Sequence, residues 1–191
     1  MRLHYTILLL VAASAVASAQ DSGLSANAWT GAGLDGPLDA LGYEVTGTPV
    51  LAGAELAYRL PIAAGLSGGL GLGGMYVRRA GSLDGEDFAA TAWRLTVAPD
   101  IGYRAGERLG LRAGVEVRSA ADLAAFDPRL EDNVRTHVRL GGDYRLGARL
   151  SLTAAVSRLL GATADVANLS DPGRTVRLGL RHVLSGAPDR L

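Results

Sequence analysis

Three groups of residues in this chain have types and spacings that invite a chemical reading. The first is "GLGLGG", residues 69 to 74, which matches G-x-G-x-x-G. Dinucleotide binding on that pattern needs a strand before it and a helix N-terminus after it, where backbone N–H groups meet the pyrophosphate. Here the alternation runs on through "LSGGLGLGGMYVRR", so a strand passes straight through the motif. Gly69, Gly71 and Gly73 are instead expected to make room for long Arg side chains from neighbouring strands. The second group is the histidines, His4, His137 and His182. His137 stands between Arg135 and Arg139 with no Ser two residues away, and flanking cations disfavour an imidazolium, so it makes a poor general base. The third group is acidic. Asp35, Asp39, Glu44, Asp84, Glu86, Asp87, Asp122, Asp127, Glu131, Asp132, Asp165 and Asp171 fall between the patterned segments, and "LDGEDF" (83–88) is the densest run. Its spacing matches no Ca²⁺ loop, so solvation is the first reading. Loose Ca²⁺ or Mg²⁺ bridging to lipid phosphates is the second. There is no Cys, which excludes disulfides, thiolate catalysis and Cys-based metal sites. No catalytic residue, metal or cofactor is expected.

The elements that must position these residues are strands. "TAWRLTVAPDIGYRA" (91–105) puts Thr91, Trp93, Leu95, Val97, Pro99, Ile101 and Tyr103 on one face, and Arg94, Asp100 and Arg104 on the other. A period of two held that long predicts a long strand, because a helix needs apolar residues at spacings of three and four. The same division predicts strands at about 24–34, 48–60, 66–79, 90–104, 109–118, 133–146, 150–159 and 173–184. Residues 24–34 are the weakest, being Gly- and Ser-rich, with Trp29 on the otherwise polar face. The short links, at about 61–65, 105–108 and 146–149, alternate with long ones rich in Asp, Gly and Pro, at about 35–48, 80–89, 119–132 and 160–173. The 26 Gly also speak against helices, where each costs ~1 kcal/mol.

The chain opens "MRLHYTILLLVAASAVASAQDSG", with basic Arg2, an apolar stretch and Ala17-Ser18-Ala19. That pattern predicts a Sec-type signal peptide over 1–19 and a single exported domain over 20–191. No later stretch has the ~18 apolar residues of a transmembrane helix. The formal charge is zero and all 19 basic residues are Arg, so no strong field argues for nucleic acid.

Short turns at one end and long loops at the other, on alternating strands, are the pattern of a bacterial outer-membrane barrel. An outward Arg at the bilayer midplane costs ~2–4 kcal/mol, so the Arg-bearing faces must point inward. The lumen is therefore expected to hold Arg59, Arg94, Arg104, Arg112, Arg118, Arg135, Arg139, Arg145, Arg177 and Arg181 against Glu55, Asp100, Glu116 and Asp143. Unpaired buried charge is costly, so this positive excess predicts internal water. Tyr-Arg recurs at 58, 103 and 144, each time ahead of a short link. Tyr58, Tyr103 and Tyr144 are expected to form a periplasmic aromatic girdle.

These features resemble the small eight-stranded outer-membrane barrels of the OmpA/OmpX type, in the broad outer membrane protein beta-barrel family. The likeness rests on topology and alternation across 21–184. It implies an all-β fold, an eight-stranded antiparallel up-and-down transmembrane barrel of a Gram-negative bacterium. The chain departs from that class in ending on "RHVL" and a tail "SGAPDRL" instead of a terminal aromatic. The expected function is non-enzymatic, structural or surface-interactive, through four acidic extracellular loops. Expected partners are outer-membrane lipid and lipopolysaccharide and an unspecified surface ligand, with a monomeric barrel. Two alternatives stand beside it. One is a narrow anion-preferring pore. The other is a secreted lipocalin-like carrier of a small apolar ligand, which would put Leu and Val inside and Arg outside.

Overall fold

The computed structural model describes residues 23–34, 38–40, 43–45, 47–63, 65–83, 85–120, 134–160 and 172–185. The expected signal peptide and tail lie outside them. Among the described residues, ten strands run in chain order: β1 (Gly23–Gly33), β2 (Leu38–Ala40), β3 (Tyr43–Val45), β4 (Val50–Ala63), β5 (Leu66–Leu83), β6 (Glu86–Arg104), β7 (Leu109–Ala120), β8 (Val134–Arg145), β9 (Leu150–Leu159) and β10 (Arg174–Ser185). Eight of them, β1 and β4 to β10, pair antiparallel in sequence order. β1 pairs with β10 and so closes the ring. The fold is a closed, eight-stranded, up-and-down antiparallel barrel. β2 and β3 form a small hairpin that joins β5 at its far end through Val45 and Leu83.

One end of the barrel carries the start of β1, the end of β10 and the connections at 64–65, 105–108 and 146–149. These turns are sewn to their neighbours. Arg104 N donates to Gly65 O, Arg145 N to Arg108 O, and Val183 N to Arg149 O, at 2.8–2.9 Å. Gly65 and Gly106 hold φ of 75° and 117°, a region that residues with a Cβ rarely adopt. The opposite, far end carries the β5–β6 hairpin. Its strands have 18 and 19 residues, against the ~9–11 that cross a bilayer.

Two expectations change. The segment 80–89 is not a long loop. β5 and β6 stay paired down to Leu83–Glu86, and Gly85 just before β6 holds a φ of 86°. Glu86 and Asp87 therefore open β6 in place of lying in a loop, while Asp84 lies outside the described residues. β4 likewise runs through Pro61 to Ala63, with a register irregularity there. Tyr58 thus stands five residues from its strand end, whereas Tyr103 and Tyr144 each stand one residue from theirs. β1, the weakest in sequence, falls at Gly23–Gly33, within one residue of its expected bounds, and Trp29 lies on its inward, polar face, 9% exposed.

Candidate functional site

Strand parity places each predicted lumen residue. Inward-facing positions are the odd residues of β1, β4, β5, β8, β9 and β10 and the even residues of β6 and β7. Glu116, 1% exposed, sits at the centre. It accepts two hydrogen bonds at 2.7 Å from Arg177 on β10 and one at 2.5 Å from Arg118 on its own strand. Arg139 on β8 approaches it at 3.5 Å. Arg139 also donates to Glu55 on β4 at 2.7 Å and reaches Asp100 on β6 at 3.4 Å. Asp100 is gripped from the other side by Arg59 at 2.7 and 2.8 Å. Nearer the turn end, Asp143 joins Arg112 at 2.7 Å and Arg181 at 2.8 Å. Four carboxylates are thus shared among six guanidinium groups, and the ties cross the lumen between non-adjacent strands. This sharing accommodates the expected positive excess near the middle.

The remaining predicted arginines stand toward the ends. Arg104 and Arg145 line the mouth at the turn end. Arg94 is buried farther up, opposite Met75. Arg135 pairs across from Arg118, and His137, fully buried, pairs across from Glu116. His182 is exposed on the outer face instead. Among the described residues, no three His, Asp or Glu side chains gather as a metal site would require.

Three inward features were not anticipated. Trp29, Leu51, Met75 and Val77 form an apolar cluster inside the lumen. Arg177 lies over the Trp29 ring, 4.2 Å from its centroid, joining the cluster to the ion-pair network. Arg79, fully buried on the inward face of β5, lies beyond Val77. Between cluster and network is a cavity of about 40 Å³ lined by Asn27, Trp29, Glu55, Arg139 and Arg177, room for a few waters. Gly71 makes room for the Glu55 carboxylate and Gly69 for Asp100 and Arg59, while Gly73 lies close against the Ala54 backbone and Thr96. A Cβ on Gly71 would lie 2.6 Å from Glu55 Cδ, and one on Gly69 2.9 Å from Asp100 Oδ1.

The outer face is apolar. Leu56, Leu72, Leu95, Ile101, Leu111, Leu140, Leu152, Leu178 and Leu180 are all exposed there. Tyr103 (56% exposed) and Tyr144 (46%) stand at the turn end. In the turn 105–108, a hydrogen bond to Tyr144 holds the exposed Arg108 guanidinium above its ordinary pKa. The far edge of the apolar face carries an aromatic pair absent from the predicted girdle, Tyr76 and Trp93, with ring centroids 5.0 Å apart. Trp93 and Tyr103 are ten residues apart on β6. At ~3.3 Å per residue and a tilt of ~40°, they frame a belt about 25 Å tall, the height of an outer-membrane barrel's apolar band.

The fold and faces define a β-barrel with a charged, filled interior and an apolar exterior. No protein-family model matches the chain, and no curated protein matches it in sequence. Several solved structures are similar in fold. The outer membrane protein OprG from Pseudomonas aeruginosa is 12% identical, with 86% of this chain and 93% of that one covered, at a TM-score of 0.46. The Yersinia pestis outer membrane protein Ail is 15% identical, covering 85% and 99%, at 0.44. A structure from the de novo design of transmembrane beta-barrels is 12% identical, covering 85% and 95%, at 0.45.

Proposed function

We propose that this chain is an integral barrel of a bacterial outer membrane, with its turn end in the periplasm and a non-enzymatic, structural or surface-interaction role at its far end. The observation that carries the reading is the inversion of the soluble pattern. A contiguous belt of exposed Leu, Val, Ile and aromatic side chains encircles a lumen of ion pairs. Such a belt in water is an aggregation liability, whereas in hydrocarbon it is the required surface. A closed ring also leaves no sheet edge unsatisfied there. The lipocalin-like alternative needs the opposite faces, an apolar interior and an Arg-bearing exterior. The anion-pore alternative is opposed by the Trp29–Leu51–Met75–Val77 cluster and the cross-lumen network, which together fill the path.

The surface role rests on the β5–β6 hairpin. It overruns the belt and presents exposed Glu86 and Asp87 near its tip. Lipopolysaccharide around the belt and a ligand met at the cell surface are the partners this arrangement suits. Density fractionation of cells should recover the mature protein with the outer membrane. Protease added to intact cells should cut near residues 84–85 and leave the barrel whole. Recovery in the soluble periplasmic fraction would overturn the reading.

A further inference from the structure

We propose that the vestibule at the turn end of the lumen is a binding site for a multivalent oxyanion of the phosphate class. The cup has a volume of about 340 Å³. Arg59, Arg104, Arg108, Arg112, Arg145 and Arg181 line it, and among the described residues the only carboxylates in its wall are Glu107 and Asp143. Asp143 is already shared by Arg112 and Arg181. Arg59 turns one face of its guanidinium down onto Asp100, which forms part of the floor beneath the cup. Its Nε and that of Arg181 are buried and make no hydrogen bond among the described residues. Planar guanidinium forks match the oxygens of phosphoryl groups, and several forks converging on one space favour a ligand with two or more charges over chloride. Partial enclosure strengthens each of these attractions over its value in open water.

The cup is blind. Beneath Arg59 lie Asp100 and Arg139, then Glu116 and the apolar cluster around Trp29. An anion entering here is held and does not pass through. The site therefore goes beyond the surface role proposed above and does not depend on it. The shared chemistry, a phosphoryl oxyanion, has two sources: a free anion, or the headgroup of an anionic phospholipid at the rim.

The test uses the mature chain folded in zwitterionic micelles, with inorganic phosphate and pyrophosphate titrated against chloride at constant ionic strength, read by calorimetry and Tm. Pyrophosphate should bind more tightly than phosphate, and both should raise Tm where chloride does not. R104Q combined with R145Q should weaken pyrophosphate about tenfold or more, at the value of one lost charge-assisted contact. R158Q, on the outer face, should change nothing. If the double variant does not fold, the single R104Q and R145Q variants carry the comparison. Nanodiscs of phosphatidylcholine with and without phosphatidylglycerol separate the sources. Competition between phosphatidylglycerol and pyrophosphate would assign a headgroup, and undiminished pyrophosphate binding a free anion. Equal responses to phosphate and chloride, or a pyrophosphate response surviving the loss of Arg104 and Arg145, would overturn the site. Neither result would touch the membrane placement, which fractionation measures.

Discussion

Glu116 is the residue on which the lumen's charge balance turns. It is almost fully buried and contacts Arg118, Arg139 and Arg177 from three strands. Removing one partner of a buried ion pair leaves the other charge uncompensated, at a cost of about 3–5 kcal/mol. Glu116→Gln should therefore lower unfolding stability by roughly that amount, read as a shift in the urea midpoint in micelles at unchanged m. A loss below about 1 kcal/mol would mean that these pairs are as solvated as surface ones. The inward position of Glu116 was legible in the sequence, because "LGLRAGVEVR" alternates without a fault. Arg79 escaped notice because it stood at the predicted end of its strand, where parity has little left to bind. Trp29 falls on the polar, inward face by alternation, but "GLSANAWTGAG" offers no large apolar neighbour to show that it joins Leu51, Met75 and Val77 in a cluster.

At the level of elements, β5 shows how small residues shape a barrel. Gly71 faces in beneath Glu55, while Gly74 faces out with its nearest atom 3.8 Å from a built Cβ. Gly71→Val should cost about 1–3 kcal/mol by overpacking, whereas Gly74→Val should be near neutral. Heat-modifiable gel mobility of the two variants checks this, and equal melting would contradict the inward placement. Strand identity and face were readable for β4 to β10, where alternation is strong. Strand length was not. "LDGEDF" was read as a loop for its acids, yet Asp-Gly between alternating segments is also the signal of a two-residue hairpin turn. Charge resists a strand only when the strand is buried, and this hairpin overruns the belt. The Tyr-Arg repeat misled in a similar way. Its three copies look alike in sequence, but β4 continues past Tyr58 through Pro61, so only Tyr103 and Tyr144 end their strands together.

For the whole molecule, the apolar belt and the charged lumen are one fact seen from two sides. An Arg at mid-strand cannot face hydrocarbon, so Arg94, Arg112, Arg139 and Arg177 turn in, and those that face out, such as Arg158, stand near strand ends. The inward Arg residues then need carboxylates within reach, and glycines opposite leave space for them. The ring must close because lipid forbids an open edge. Topology was visible from sequence because this logic acts on every strand at once. The ion-pair partners were not, because they join strands that parity places on a common lumen without saying at what height. The two tryptophans offer the most direct test of the central claim, since Trp93 is 62% exposed on the outer face and Trp29 lies inside under Arg177. Single-tryptophan variants, made as Trp29→Phe and Trp93→Phe, are reconstituted into bilayers with brominated acyl chains and their fluorescence is compared with that in unbrominated lipid. Trp93 should be strongly quenched and Trp29 little. Quenching of Trp29 by lipid, or a Trp93 that lipid leaves bright while aqueous acrylamide quenches it, would contradict that placement.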